Sequence, residues 1–336
     1  MNILITGVSG EVGFSLVNKL SQKANHKIFG LDLKQPDNRI LSKLTYFFQG
    51  SILDKAMVEV SFAKYDFDVI FHLAAILSTS AEKNPMEAYD VNVGGTLNLL
   101  ESTTAWSIRR EKRIKFIFPS SIAVYGLSSL SEKKKAKKVK ENEFTKPITM
   151  YGINKLFCEH FGEYFSKNYR LLDSLDRSHL VDFRAIRFPG LISADTIPTG
   201  GTSDYGAEML HSAAQKKAYV CYVRPDTQIP FMVMPDAVKS LINLMKTPIN
   251  NITQKVYNVS GFSVSAKEIE KKVKKFYSDF TITYDSQPQR QLIVDSWPLD
   301  IDDSKAKRDW GWSSDYDFDK AFDEYLIPAI SKKYQV

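Results

Sequence analysis

The chain has 336 residues, of which 43% are apolar, 12% aromatic and 25% charged, and its formal net charge is +6. Such a composition belongs to a globular protein with one large domain or two ordinary ones, and it excludes a disordered or collagen-like chain. No apolar run reaches about 18 residues, so we expect no membrane-spanning helix. Two cysteines, Cys158 and Cys221, are too few for a disulfide framework or a zinc site and predict thiols in a reducing compartment.

The chain starts directly with an apolar strand pattern and shows neither a secretory leader nor an Arg/Ser-rich amphipathic one. We therefore expect a cytoplasmic protein. Residues 132–141 hold six lysines and two glutamates, and thus carry +4 of the net charge. The remaining charge offers no basic face for nucleic acid. We predict that this lysine run is a solvated surface loop.

In chain order, short apolar runs alternate with helical patterns through the first half of the sequence. Strands are predicted at 2–6, 26–32, 43–48, 68–73, 114–119 and 180–188. Helices are predicted at 11–21, 54–63, 85–106 and 150–166. Apolar strands separated by helices indicate an α/β fold with a parallel sheet covered on both faces. After about residue 189 the pattern loosens, with helices expected at 204–216, 235–246, 266–277 and from about 318, and a short strand at 255–259.

A glycine-rich turn follows the first strand and opens the first helix, with Gly7, Gly10 and Gly13 at its key positions. These glycines permit a tight turn, close approach of a diphosphate to backbone N–H groups, and close packing of helix on strand. Asp32 ends the second strand, where an acid accepts hydrogen bonds from a ribose and repels a ribose phosphate. The pattern predicts a Rossmann doubly wound sheet that binds NAD in preference to NADP.

We therefore predict an NAD-binding Rossmann domain over residues 1–189, with 225–261 returning to it. A smaller, interleaved C-terminal substrate lobe is expected over 190–336.

Tyr151 and Lys155 lie one helical turn apart, 30 residues after a serine-rich strand end at 119–126. The lysine ammonium favours a tyrosine phenolate, which is a suitable proton acceptor. The spacing alone is a weak signal, because Tyr316 and Lys320 repeat it on a predicted helix surface. Its position after the strand end strengthens it, since ligands of open α/β folds bind at that edge of the sheet.

These features resemble the extended short-chain dehydrogenase/reductase family. The resemblance rests on the glycine turn, Asp32, Leu73-Ala74-Ala75, Asn92, the segment Ser120-Ser121-Ile122-Ala123-Val124-Tyr125-Gly126, and the Tyr151/Lys155 pair. Within that family, the second half is similar to the short-chain type of L-threonine 3-dehydrogenase. The segments that carry this similarity are Phe188-Pro189-Gly190-Leu191-Ile192-Ser193, Gly201-Thr202-Ser203-Asp204-Tyr205, Asp295-Ser296-Trp297-Pro298, Ile301-Asp302-Asp303-Ser304 and Asp309-Trp310-Gly311-Trp312.

The resemblance implies NAD-dependent oxidation of L-threonine to 2-amino-3-oxobutanoate, without a metal. Tyr151 is the implied base, Ser121 positions the substrate hydroxyl, and Lys155 lowers the tyrosine pKa and binds the nicotinamide ribose. The implied cofactor-binding residues are Gly7, Gly10, Glu11, Val12, Gly13, Asp32, Ser51, Ile52, Leu73, Ala74, Ala75, Asn92, Tyr151, Lys155 and Leu191. The implied substrate-binding residues are Ser78, Ser80, Ser121, Tyr151, Thr202, Ser203 and Asp204, with Arg290 a weaker candidate.

A homodimer is also implied, in which the helices at 85–106 and 151–166 pack against their twofold mates. Both helices carry apolar residues beyond one face: Leu97, Leu99 and Leu100 on the first, and Phe157, Phe161, Tyr164 and Phe165 on the second.

Two other functions remain open at the level of sequence. A sugar-nucleotide epimerase or dehydratase would use the same turn and the same Tyr/Lys pair. A dehydratase usually carries an acid beside the catalytic serine, whereas Ile122 follows Ser121 here. A non-catalytic nucleotide sensor would typically lack the Tyr151/Lys155 pair, which this chain keeps.

Overall fold

The computed structural model describes residues 1–23, 25–174, 180–198 and 200–335. They form two compact units. Unit 1 comprises Met1–Ser120, Ile153–Ile186 and Val238–Tyr257. Unit 2 comprises Ser121–Gly152, Arg187–Ala237 and Asn258–Val336. Residues 121–152 therefore cluster with unit 2 and not with the Rossmann part, and the returning segment is shorter than the expected 225–261.

The described part of the chain contains the following strands: β1 Asn2–Thr6, β2 Lys27–Asp32, β3 Tyr46–Gln49, β4 Val69–His72, β5 Ile114–Ser121, β6 Lys138–Val139, β7 Val181–Phe188, β8 Gly190–Ile192, β9 Tyr219–Cys221, β10 Gln228–Val233, β11 Val256–Asn258, β12 Phe262–Ser265, β13 Ile282–Tyr284 and β14 Asp300–Ile301.

The helices are α1 Glu11–Leu20, α2 Asn38–Leu41, α3 Lys55–Lys64, α4 Ser78–Lys83, α5 Pro85–Tyr89, α6 Gly95–Arg110, α7 Leu130–Ala136, α8 Met150–Lys167, α9 Tyr205–Ala214, α10 Met234–Lys246, α11 Ala266–Phe276, α12 Pro288–Ser296, α13 Ser304–Trp310, α14 Phe318–Lys320 and α15 Ile327–Tyr334. A π-helical segment, Asp90–Gly94, joins α5 to α6, and another, Ala321–Leu326, joins α14 to α15. The predicted helix at 85–106 is thus α5, the first π segment and most of α6.

The core of unit 1 is a seven-stranded sheet with the order β11-β7-β5-β4-β1-β2-β3. The pairs β1–β2, β1–β4, β2–β3 and β4–β5 are all parallel. Every residue of β4 and β7 is buried, as expected for central strands covered on both faces. The strand order reverses between β1 and β4, which is where open α/β sheets bind ligands. The predicted fold class, a Rossmann doubly wound sheet, is confirmed.

Unit 2 is built from smaller pieces. A three-stranded sheet has the order β12-β10-β8, and two-stranded sheets join β13 to β9 and β14 to β6. Helix α11 begins with a reciprocal capping box between Ser265 and Glu268. The strand β6 belongs to the lysine-rich segment, and its pairing with β14 explains why residues 121–152 cluster with unit 2.

The prediction of a surface loop at 132–141 is wrong as to the loop, although five of the six lysines in the run are exposed. The lysine run forms the end of α7 and all of β6. Lys133 is buried, and its Nζ donates to the Val294 carbonyl oxygen at 2.8 Å. The long apolar stem of lysine allows such burial when the ammonium finds an oxygen, and this oxygen lies 161 residues further along the chain. Charge composition alone could not indicate that contact.

A buried polar cluster also stabilises unit 2. The Tyr125 hydroxyl donates to Asn258 Oδ1 at 2.7 Å. Arg187 Nη1 donates to the Tyr125 hydroxyl at 3.0 Å and to the Glu141 carbonyl at 2.7 Å. Asn258 Nδ2 donates in turn to the Val139 carbonyl at 3.1 Å. These bonds satisfy polar groups that would otherwise be costly to bury, and they tie β6 into the interior of the unit.

No helix in the described ranges is long and apolar enough to cross a membrane. The two helices expected at a dimer interface expose only part of their apolar residues. Leu99, Leu100 and Phe165 are core residues of unit 1, whereas Phe157 and Tyr164 are exposed on α8. The exposed set therefore differs from the one that the sequence pattern indicated.

Candidate active site

The glycine turn of unit 1 has the geometry of a phosphate cradle. Gly7 adopts a φ of +69°, and a Cβ there would lie 2.6 Å from the Ala74 backbone nitrogen. A Cβ on Gly13 would lie 2.5 Å from the Gly7 carbonyl oxygen. Gly10 caps α1 without a side chain, so the first N–H groups of the helix lie beside bare backbone. These are the features that let a diphosphate approach a helix N-terminus.

Asp32, at the end of β2, is held beside the glycine turn. Its Oδ2 accepts a hydrogen bond from the Ser9 backbone nitrogen at 2.9 Å, and its Oδ1 accepts from the Lys34 nitrogen at 3.1 Å. The carboxylate is thus fixed on the same edge of the sheet as the phosphate cradle. A carboxylate at this position suits the adenosine ribose of a dinucleotide. Together with the glycine turn, it shows that the residues of unit 1 fit a nicotinamide dinucleotide.

The other predicted cofactor residues of unit 1 lie after strands β1, β3 and β4. Asn92 binds the Ile76 backbone twice: its Oδ1 accepts from the nitrogen at 2.7 Å and its Nδ2 donates to the oxygen at 3.0 Å. Ser51 Oγ accepts from the Leu53 nitrogen at 3.1 Å, and Ile52 is buried. The remaining ones, Glu11, Val12, Leu73 and Ala75, are partly buried.

A buried hydrogen-bond chain centred on His72 was not predicted from the sequence. Thr96 Oγ1 donates to the Asn92 carbonyl at 2.5 Å, so it accepts from His72 Nε2 at 2.9 Å. Nδ1 of His72 is then an acceptor, at 2.7 Å from the Thr6 hydroxyl, and that hydroxyl accepts from the Ala74 nitrogen at 3.3 Å. Burial lowers the pKa of His72 to about 3, which keeps the ring neutral, and the hydrogen bonds of Thr96 select the tautomer. The chain joins the end of β1 to that of β4.

Tyr151 and Lys155 lie one turn apart at the start of α8. Lys155 is buried; its Nζ donates to the Pro119 carbonyl at 2.7 Å and lies 4.5 Å from the centre of the Phe118 ring. Burial lowers the pKa of the Lys155 ammonium to about 8, and Cys158 and Glu159 oppose that shift. Burial raises the pKa of the Tyr151 phenol. A phenolate at Tyr151 therefore needs positive charge close by.

Within unit 2, the turn that follows Ser121 packs against the start of α8. Ser121 Oγ accepts from the Ala123 nitrogen at 3.1 Å. Gly152 lies so close to the Ala123 carbonyl that a Cβ there would overlap it. The Thr149 hydroxyl caps the helix by accepting from the Gly152 nitrogen at 3.1 Å. The glycine after Tyr151 thus has a packing role that the sequence did not reveal.

The structure also separates the two adjacent serines. Ser120 Oγ donates to Glu159 Oε1 at 2.5 Å, deep in unit 1. Because neighbouring residues of a strand point to opposite faces, Ser121 is left to point the other way. Ser121 therefore remains the candidate that positions a substrate hydroxyl.

The predicted substrate loop of unit 2 is held from two sides. Asp204 Oδ2 accepts from the backbone nitrogens of Gly200 at 2.9 Å and Gly201 at 2.6 Å. The Tyr222 hydroxyl donates to the carbonyls of Gly201 at 3.2 Å and Thr202 at 3.3 Å. Asp204 is therefore engaged in shaping the loop. Thr202 is buried, and Ser203 packs beside Gly190 of β8.

The remaining predicted residues belong to different parts of the chain. Leu191 lies in β8 of unit 2, paired with Met232. Ser78 and Ser80 lie on α4 of unit 1, the first buried and the second exposed. Arg290 stacks its guanidinium over the Tyr222 ring at 4.2 Å, within unit 2. Among the residues that the structure describes, no group of three or more His, Cys, Asp or Glu could hold a metal ion.

The family and the structural neighbours support a nicotinamide-dependent oxidoreductase of the extended short-chain type. The chain belongs to the NAD-dependent epimerase/dehydratase family: the family described as GDP-mannose 4,6 dehydratase matches residues 4–325.

Three relatives span nearly the whole chain. An uncharacterized epimerase/dehydratase of Staphylococcus saprophyticus is 34% identical, over 98% of this chain and 97% of its own. The mitochondrial L-threonine 3-dehydrogenase of Bos taurus is 31% identical, over 94% of this chain and 79% of its own. The solved L-threonine dehydrogenase of Clostridium difficile is 33% identical with a TM-score of 0.85, over 99% of this chain and 98% of its own.

Proposed function

We propose that this protein oxidises the side-chain hydroxyl of L-threonine to the ketone of 2-amino-3-oxobutanoate, with NAD as the oxidant. The observation that carries the proposal is the Tyr151/Lys155 helix start packed against the Ser121 turn, in a chain similar over almost its whole length to L-threonine 3-dehydrogenases. The same packing would serve other alcohols, so the choice of threonine rests on the relatives and on the segments of unit 2 that resemble them.

In the proposed reaction, Tyr151 accepts the proton of the substrate hydroxyl as a phenolate. Ser121 donates a hydrogen bond to the same oxygen and holds it toward the tyrosine. Lys155 provides the positive charge that opposes the burial-raised pKa of Tyr151. The chemistry that a bound nicotinamide supplies is acceptance of the hydride from the β-carbon. Loss of this proton and this hydride converts the alcohol into a ketone.

An amino-acid substrate also requires partners for its ammonium and its carboxylate. We propose Ser78, Ser80, Thr202, Ser203 and Asp204 for this role. Asp204 shapes its loop through Gly200 and Gly201, so its effect on substrate binding is in part that of a loop-ordering residue. We give Arg290 a structural role, because its guanidinium stacks on Tyr222. Trp297 is buried, in keeping with packing inside unit 2.

The proposed preference for NAD over NADP rests on Asp32. A ribose phosphate would bring negative charge to a carboxylate that two backbone N–H groups already hold in place. Replacing Asp32 with glycine should weaken NAD binding and reduce the discrimination against NADP. Parallel titrations of the two dinucleotides by fluorescence would measure this. A wild-type protein that binds NADP more tightly would contradict the proposal.

The alternative function is a sugar-nucleotide epimerase; the Staphylococcus saprophyticus relative is named an epimerase/dehydratase, and the family description names a GDP-mannose dehydratase. A dehydratase is less well supported, since the residue after Ser121 is Ile122, which is apolar and buried. Both enzymes would use the same phosphate cradle and the same tyrosine.

Turnover assays separate these functions. The protein is mixed with NAD and, separately, with L-threonine, D-threonine, L-serine or UDP-glucose, and both NADH and epimerised sugar are measured. We expect net NADH with L-threonine and a slower reaction with L-serine, by about 1–3 kcal/mol for the missing methyl group. A simple secondary alcohol should react far more slowly, because it leaves polar groups unpaired. Epimerised sugar without threonine oxidation would replace the proposal by its alternative.

A further inference from the structure

Glu159 is a buried carboxylate on the catalytic helix that the proposed reaction does not use. It lies on α8 one turn beyond Lys155 and two turns beyond Tyr151, so the three residues follow one stripe of the helix. Its exposed fraction is only 2%. Ser120 Oγ donates to its Oε1 at 2.5 Å. Burying a carboxylate costs several kcal/mol unless it is well paired, so its presence calls for a compensating role.

The surroundings of Lys155 indicate what that role is. From β5, the Pro119 carbonyl and the face of Phe118 contact or face the ammonium. His72, at the end of β4, is near enough for the Lys155 charge to act on it, and it is a neutral ring, since burial lowers its pKa to about 3. On α8 itself Cys158 is a neutral thiol, because burial raises its pKa to about 11. Glu159 adds a carboxylate to these neutral neighbours.

We propose that Glu159 is a positioning residue for the reaction: its buried carboxylate, held by Ser120, keeps Lys155 protonated and therefore able to favour the Tyr151 phenolate. The part of this proposal that concerns the Tyr151 phenolate rests on the proposed function. The effect on Lys155 does not, because it depends only on charges in unit 1. In a poorly hydrated interior an opposite charge one helical turn away stabilises an ammonium far more than it does in water.

Ser120 completes the arrangement by fixing where the carboxylate lies. Lys155 donates to the carbonyl of Pro119, and the hydroxyl of the next residue donates to Glu159. Two successive residues at the end of β5 thus bind two successive turns of α8. These bonds set the register of the helix on the strand.

Direct titration of Lys155 tests the proposal without any substrate. The protein is labelled with ¹³C at lysine Cε, and the Lys155 signal is assigned by its loss in Lys155→Arg. In Glu159→Gln we expect the titration midpoint of Lys155 to fall by about one pH unit or more. Lys133, another buried lysine, is an internal control in unit 2 whose midpoint should not move. An unchanged Lys155 midpoint in folded Glu159→Gln overturns the proposal.

Glu163→Gln is the matched control. Glu163 lies one turn further along α8 and pairs with Lys167 on the exposed side. We expect this variant to leave the Lys155 midpoint where it is in wild type. An equal fall in both glutamine variants would show that the Lys155 midpoint responds to any charge on the helix and not to Glu159 in particular, which also contradicts the proposal.

Two further variants keep the proposal testable if Glu159→Gln does not fold. Glu159→Asp keeps the charge, and Ser120→Ala keeps the carboxylate while removing its clamp. Because both variants keep the negative charge, we expect the Lys155 midpoint in each to stay within about half a pH unit of the wild-type midpoint. A fall of a full unit in Glu159→Asp would contradict a charge-based role.

The pH profile of kcat/KM gives a second readout. Because Lys155 is needed in its protonated form, activity is lost as pH rises through its pKa. Removing the Glu159 carboxylate lowers that pKa, so the alkaline limb should move to lower pH. A uniform fall in rate with an unmoved limb would indicate a merely structural role and would overturn the proposal. If wild-type protein does not oxidise L-threonine, only the proposed function fails, and the lysine titration still decides this inference.

Discussion

The phosphate cradle of unit 1 and the polar core of unit 2 are stabilised by contacts of very different range. Asp32 accepts a hydrogen bond from the backbone of Ser9, only 23 residues away, and the three glycines of the cradle all lie within residues 7–13. In unit 2, Tyr125 binds Asn258 across 133 residues and Lys133 binds Val294 across 161. A local motif can be recognised in a sequence, whereas a long-range polar contact becomes visible only in the fold.

The Tyr151/Lys155 pair, a local motif, allows the strongest test of what was predicted from the sequence. Tyr151→Phe removes the proton acceptor and little else, so turnover should fall by at least about 10²- to 10⁴-fold. NAD binding, measured by fluorescence titration, should stay close to wild type, because the phosphate cradle and Asp32 are unchanged. Tyr316→Phe is the matched control, since Tyr316 shares the Tyr/Lys spacing with Lys320. Near-native turnover in Tyr151→Phe would remove the tyrosine from the mechanism.

The phosphate cradle should fail when a side chain is added at Gly7. Gly7→Ala combines a positive φ with a Cβ 2.6 Å from the Ala74 nitrogen, so the turn must shift. We expect dinucleotide binding to weaken by tenfold or more, measured by calorimetric titration. Gly311→Ala is the control: its φ is +65° but a Cβ there meets nothing within 4 Å. It should cost about 1–2 kcal/mol of stability and leave dinucleotide binding intact. Equal losses of binding in both variants would contradict the cradle.

The difference between local contacts and long-range contacts explains which features could be predicted from the sequence. Alternating strands and helices predicted the Rossmann sheet, and the glycine turn with Asp32 predicted the cradle, because each depends on neighbours in the chain. His72 was missed, since a histidine in an apolar strand gives no sign that hydroxyls flank both ring nitrogens. Gly152 was missed because its necessity comes from the Ala123 carbonyl. The burial of Lys133 was missed because its partner is distant.

The homodimer prediction concerns the exposed apolar side of α8. Phe157 is 42% exposed and makes an edge contact with Phe161, and Ile153 is exposed one turn earlier. If a second copy covers this face, Phe157→Lys should place a charge in the interface and shift the protein to monomers. Light scattering at micromolar concentration would measure the shift. Leu172→Lys is the control, because Leu172 is fully exposed and lies outside the helix. A wild-type protein that is monomeric under these conditions contradicts the dimer.

Lys133 provides the subtlest test, since it distinguishes one buried lysine from its exposed neighbours. Burial lowers the pKa of Lys133 to about 8, below its ordinary value near 10.5. Between those two pH values the unfolded chain holds a proton that the folded chain has released. The free energy of unfolding therefore gains a positive slope with pH in this window, of up to about 1.4 kcal/mol per pH unit. Lys133→Met should remove that contribution, as measured by urea unfolding at pH values from 7 to 10. Lys134→Met, at the exposed next position, should preserve it. If both variants keep the same slope as wild type, Lys133 does not titrate as a buried group, and the lysine run would be the solvated segment that its composition suggested.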